Sequence, residues 1–87
     1  MAEAENRERV LILTEQYRVV GDVQRGPDGS IWDFKHRPEE RFLMVYDVQF
    51  FSIQDGKRAY DAELAEINKD HVVAVFREAH VAFMRKD

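Results

Sequence analysis

Arg41-Phe42-Leu43-Met44-Val45-Tyr46-Asp47-Val48-Gln49-Phe50-Phe51-Ser52-Ile53 is the longest run of strand-favouring residues in the chain. Its even positions (Phe42, Met44, Tyr46, Val48, Phe50) are all apolar or aromatic. Its odd positions mix Leu43, Val45, Phe51 and Ile53 with Asp47 and Gln49. Successive strand side chains point to opposite faces, so the even set predicts one continuous core face. The odd face reads as wet in the middle and apolar at both ends. That is the pattern of a long, bent central strand in a small barrel or sandwich.

Upstream, Val10-Leu11-Ile12-Leu13-Thr14 is a short β-rich segment, and Glu15-Gln16 fits a tight turn or a bulge. In Tyr17–Gln24, Tyr17, Val19 and Val23 alternate with Arg18, Asp22 and Gln24, which predicts the second strand of a hairpin. Gly21 falls on the apolar face, where a missing side chain admits a close backbone or a bulge. Arg25-Gly26-Pro27-Asp28-Gly29 is the clearest turn. Ser30 is placed to cap a short helical turn near 30–36, with Asp33 three residues on as its capping-box partner. Pro38 limits that element to about two turns. Ile31, Trp32 and Phe34 either plug an open end of the β structure, or Trp32 and Phe34 face a partner.

Downstream, Gln54-Asp55-Gly56-Lys57 is a strong hairpin signal. Arg58 to Ile67 reads as a strand, with Tyr60, Ala62 and Leu64 on one face, or as a helix through Tyr60, Leu64 and Ile67. Its alanines and glutamates favour helix, but the preceding turn and the central strand's need for a neighbour favour strand. Asn68-Lys69-Asp70 is a turn, and His71–Phe76 the last strand. The fold class is therefore mainly β: a small five-stranded antiparallel barrel or strongly curled sheet. Residues 1–8 read as a flexible acidic tail with three glutamates, 9–77 as the domain, and 78–87 as an extension. Phe76, Ala79 (or His80) and Phe83 are spaced for a C-terminal helix from about Glu78 to Arg85, with a small apolar stripe that would either fold back on the core or dock against another subunit.

Eighty-seven residues make one domain with a modest core. There is no cysteine, which excludes disulfides and thiolate metal sites. No apolar run approaches the ~20 residues of a membrane span, and the acidic N-terminus lacks a signal peptide's apolar centre. A cytoplasmic protein without membrane insertion is expected. The net charge of −4 comes from well-mixed acids and bases, with no basic cluster of the kind a nucleic-acid binder shows. Folding could still gather Arg18, Arg25, Lys35, Arg37 and Arg41 on one side.

No chemical site emerges from the pattern. His36, His71 and His80 lack metal-ligand spacing, so no metal and no other cofactor is expected. His71 closes a turn into a strand, where a backbone hydrogen bond is the ordinary explanation. Asp22, Asp47 and Asp61 are unusual within strand-like stretches. Asp47 is expected to face solvent or to pair with an arginine such as Arg18, and neither an Asp47–Asp61 nor an Asp47–His71 couple has a nucleophile or oxyanion hole beside it. Gly26 and Gly29 are not followed by Lys-Ser/Thr, so no phosphate-cradling loop exists.

The strings RVLILTEQYRVVGDV, RFLMVYDVQFFS followed by Asp55-Gly56, and INKDHVVAVF resemble an uncharacterised family of small bacterial domains. The likeness spans roughly residues 9 to 77, and Ser30–Phe34 falls where that family carries a short helical insert. The resemblance implies a five-stranded Sm-like or SH3-like barrel in which the last strand returns near the first. It brings no catalytic residues. Sm-like relatives often form rings and bind RNA, but the basic loops for the RNA role are missing here.

These readings lead to a non-enzymatic protein–protein interaction module, an adaptor or regulatory subunit of a larger cytoplasmic complex such as small-GTPase or polarity signalling. Its expected protein-binding residues are Trp32, Phe34, Arg37, Phe51, Phe83 and Met84. The alternatives are a ring-forming, nucleic-acid-binding Sm-like protein and a purely structural homo-oligomer.

Overall fold

The first strand turns back on itself through a two-residue loop that Thr14 fastens. Its Oγ1 accepts the Tyr17 N–H at 3.0 Å and donates to the Tyr17 carbonyl at 3.1 Å. The computed structural model describes residues 6–78. Within them β1 (Arg7–Thr14) and β2 (Tyr17–Gln24) form this hairpin, followed by helix α1 (Trp32–Lys35), β3 (Phe42–Ser52) and β4 (Arg58–Asn68). A 3-10 turn (Lys69–His71) then leads into β5 (Val72–Arg77). The first strand begins at Arg7, inside the stretch expected to be a tail. The proposed C-terminal helix, with Phe83 and Met84, lies outside the described residues apart from Glu78.

The five strands make one sheet in the order β4-β3-β2-β1-β5, with every neighbouring pair antiparallel. The last strand thus lies beside the first, as expected. Arg58–Asn68 is a strand, and the Asp-Gly turn before it closes by Gly56 N–H to the Ser52 carbonyl at 2.7 Å, with Gly56 at φ +73°. Sheet pairing overrides the helical propensity of its alanines and glutamates. The edges β4 and β5 do not pair, so the barrel does not close.

Val10, Ile12, Val19, Val23, Leu43, Val45, Val48 and Ile67 are buried. The sole α-helix among the described residues has four residues, too few to cover a sheet face. The sheet therefore curls over its own concave side to bury them. Tyr17, Ile31, Phe50, Ala65, Val72 and Val75 pack around this core.

The central strand does not keep the face its alternation predicts. Leu43 and Val45 are the buried residues of its first half, while Phe42 is 41% exposed and Met44 and Tyr46 are half-buried. From Val48 onward the even residues do turn inward. The switch occurs at Asp47, the non-glycine residue with positive φ (50°) among the described residues. There the β2–β3 register slips between Val20↔Gln49 and Asp22↔Tyr46, so β3 holds one extra residue opposite Gly21. Such a bulge reverses which side chains face the core.

Gly21 makes the bulge possible. A Cβ on it would collide with Val45 Cγ1 and stand 3.2 Å from the Tyr46 carbonyl oxygen and 3.3 Å from Val48 Cα. The close backbone approach expected at this glycine is present.

Helix α1 starts differently from the expected capping box. Its N-cap is Ile31, with no side-chain cap bond. Ser30 instead donates its hydroxyl to Asp28 Oδ1 at 2.6 Å, and its backbone N–H reaches the same oxygen at 3.1 Å. This Asx-type turn competes with capping. Asp33 is released from the cap role, is buried, and accepts the Met44 N–H at 2.9 Å.

Candidate functional site

The expected binding residues fall into separate neighbourhoods. Trp32, Phe34 and Arg37 sit on or just after α1, which Asp33 pins to β3 at Met44. Trp32 is half-buried and stacks on the His36 ring at 4.4 Å. Phe34 is 37% exposed. Lys69, from the turn after β4, lies over the Phe34 ring and donates its ammonium to the carbonyls of Asp33 and of Arg37, the latter at 2.9 Å. Arg37 itself is exposed and 3.4 Å from Glu40. Phe51 is seven residues along β3 from Met44, roughly 20 Å at the rise of a strand. It is half-buried beneath the Arg18 guanidinium, 5.0 Å from its ring centroid. Phe51 therefore does not join Trp32, Phe34 and Arg37 in one patch.

The basic residues that folding could have gathered are dispersed among partners. Lys35 meets Asp28 at 2.8 Å, and Arg41 lies 3.9 Å from Asp70. The Lys35 ammonium, then the Ser30 hydroxyl and N–H, hold the Asp28 carboxyl well below the usual carboxylate range. Asp22 pairs with Arg9 at 3.0 Å and Asp61 with Arg58 at 3.6 Å. Asp47 is exposed, as expected, but its role is conformational. His71 departs from the expected backbone bond: its Nδ1 meets the Glu15 carboxylate at 3.0 Å, tying the β1–β2 turn to the start of β5. Among the described residues, no group of three His, Asp or Glu side chains is placed to hold a metal. No helix among them is long and apolar enough to cross a membrane.

Two features stand out that local sequence patterns did not mark. One is the outer edge of β4. This strand has eleven residues, and the seven from Arg58 to Leu64 are all exposed, including Tyr60 at 62% and Leu64 at 49%. As the outermost strand of the sheet, it offers alternate backbone N–H and C=O groups with no strand beside them among the described residues. Asp61, Glu63 and Glu66 outweigh Arg58, so this edge is acidic.

The other feature lies at one end of the concave face, where Tyr17, Phe50 and Tyr60 meet. Their ring centroids are 5.6, 6.3 and 6.2 Å apart, at interplanar angles of 88°, 63° and 86°. Two open cavities flank Tyr17. One, of about 340 Å³, is bordered by Glu15, Phe50, Glu66 and His71; the other, of about 540 Å³, by Glu15, Ile53 and Tyr60.

Comparison with models of protein families, with curated proteins and with solved structures gave no match.

Proposed function

We propose that the domain is a non-enzymatic protein-interaction module, an adaptor or regulatory subunit, that binds an extended segment of its partner along the edge of β4. The observation that carries this reading is the outermost strand β4, whose residues from Arg58 to Leu64 are all exposed. An added strand would gain main-chain hydrogen bonds along it, while side-chain pockets on alternate residues supply selectivity. The acid excess on β4 favours a partner strand rich in lysine or arginine. The charges also serve the isolated protein, because charged edge residues discourage indiscriminate pairing.

A second reading is self-assembly, with β4 of one copy pairing with β5 of the next. Both strands are outermost in the sheet, at opposite ends of its order. Such a head-to-tail contact would close into a ring or extend as a filament. The return of β5 beside β1 is the arrangement that the resemblance to Sm-like or SH3-like barrels implies. Against self-pairing, β5 offers only Arg77 to meet the β4 carboxylates. The pairing of Lys35, Arg37 and Arg41 with nearby acids gives no support to nucleic-acid binding.

Site-specific photo-cross-linking separates these readings. A photoreactive residue at Glu63 is expected to give one discrete adduct with a second protein in the native lysate, and the same residue at Phe34 none. An adduct of twice the chain mass from Glu63 would select self-pairing. Adducts from Phe34 alone would overturn the edge as the binding surface.

A further inference from the structure

We propose that residues 79–87, which follow β5, pack across the outer face of their own sheet. Val81-Ala82-Phe83-Met84 would cover an apolar patch there, and Arg85-Lys86 would meet an acidic depression beside it. This face is separate from the β4 edge and from the concave core. Val10 and Ile12 are buried in the core, so Leu11 between them points to the other side. The register places Leu11 directly opposite both Val20 on β2 and Phe76 on β5. Phe76 is 43% exposed, and Leu11, Val20 and the neighbouring Leu13 are half-buried. The same cross-strand row runs on from Val20 to Gln49 and from Gln49 to Asp61. It is apolar across β5, β1 and β2, then polar on β3 and acidic on β4.

The order of residues after β5 matches the order of that row. Glu78 borders a small crevice together with Leu11 and Val20, so the chain leaves β5 over the patch. Nine residues follow it in the sequence, with four consecutive apolar ones ahead of Arg85 and Lys86. At the far end of the row, Asp47, Asp61 and Glu63 border a shallow depression beside Gln49. The base that shares this depression, Arg9, is engaged with Asp22 at 3.0 Å. The depression is therefore net acidic and suits a basic pair. Strands lie about 4.8 Å apart, so the row measures about 19 Å from β5 to β4. Nine residues cover about 13 Å as a helix and up to about 30 Å when extended, and the long basic side chains add reach in the helical case. Covalent attachment holds the segment at an effective concentration in roughly the millimolar range, which favours it over a second copy or a separate partner as the occupant.

The test is nuclear Overhauser spectroscopy on the full chain. Contacts are expected from the Phe83 ring and the Met84 methyl to the methyl groups of Leu11 and Val20. An isotope-filtered experiment on a mixture of labelled and unlabelled protein should show none of them, because the contacts lie within one molecule. Their appearance in the mixture would assign the face to a second copy and overturn the proposal. So would their absence from both samples. Phe83→Asp, a change outside the sheet, should abolish the Met84 contacts and increase binding of an apolar dye, while the β1 and β2 amide signals stay dispersed. Met84 contacts that survive this change would overturn the apolar patch as the anchor. Asp61→Lys should weaken the Met84 contacts at low salt and less so at high salt, as an ion pair across the depression requires. Contacts indifferent to that reversal and to salt would overturn the depression as the seat of Arg85 and Lys86.

Discussion

Gly21 and Val45 face each other across the β2–β3 pair so closely that a Cβ on the glycine would run into the valine's Cγ1. The remaining space is bounded by backbone, the Tyr46 carbonyl oxygen and Val48 Cα, which cannot swing aside as a flexible side chain would. Gly21→Ala should therefore destabilise the protein by about 1–3 kcal/mol, the usual cost of overpacking. Urea denaturation would show a lower midpoint with an unchanged m-value.

Asp47 pays for the same bulge through its backbone. At φ +50° a glycine has no steric penalty, whereas a β-branched residue is strongly disfavoured. Asp47→Gly should be neutral or stabilising by up to about 1 kcal/mol, and Asp47→Val destabilising by about 1–2 kcal/mol. Opposite signs for the two variants in thermal melts would check this directly. Equal losses would point to a role for the carboxylate itself.

The alternation of residues 42–50 was legible, but its phase was not. A period-two pattern assumes an unbroken ladder, and the bulge opposite Gly21 breaks it halfway, so Leu43 and Val45 replace Met44 and Tyr46 in the core. Both signals, a glycine on an apolar face and an aspartate within a strand, were present, yet their meeting across two strands is a non-local fact. The Asp-Gly turn at 55–56 settled the strand at 58–68 against its helical propensity, because a tight hairpin leaves little choice of neighbour. Ser30 and Asp33 had capping-box spacing, but Asp28 was nearer to Ser30 and took its hydroxyl. The β4 edge and the aromatic corner depend on strand order and curl, which bring Tyr17 against Tyr60 from 43 positions away.

Lys69 fastens the α1 loop to the end of β4 through two carbonyls. Lys69→Ala should cost about 1–2 kcal/mol, the range of a hydrogen bond from a charged donor at a partly exposed site. The loss should be local: faster amide exchange over residues 31–37 and a red-shifted Trp32 fluorescence, with β1 and β2 protection scaling only with the global change.

Asp28 supplies a pH signature. Its folded carboxyl is held well below the ordinary range, first by the Lys35 ammonium and then by Ser30. The folded protein therefore binds that proton less readily than the unfolded chain. This contribution is fully present above the unfolded value of about 4 and is lost as pH falls through the folded one. Because the pair is exposed, the effect on global stability is small. NMR titration should give a folded Asp28 midpoint well below that of an unfolded peptide, and Lys35→Met should move it upward.

Amide hydrogen exchange along β4 is the most direct test that its edge is an open binding surface. In the free monomer, every second N–H between Arg58 and Asn68 should exchange quickly, because an antiparallel outermost strand pairs only its inward groups. Those fast amides should become protected in a complex with the partner recovered by cross-linking at Glu63. Uniform protection along β4 in the free monomer would mean that the edge is already covered, and would contradict the account.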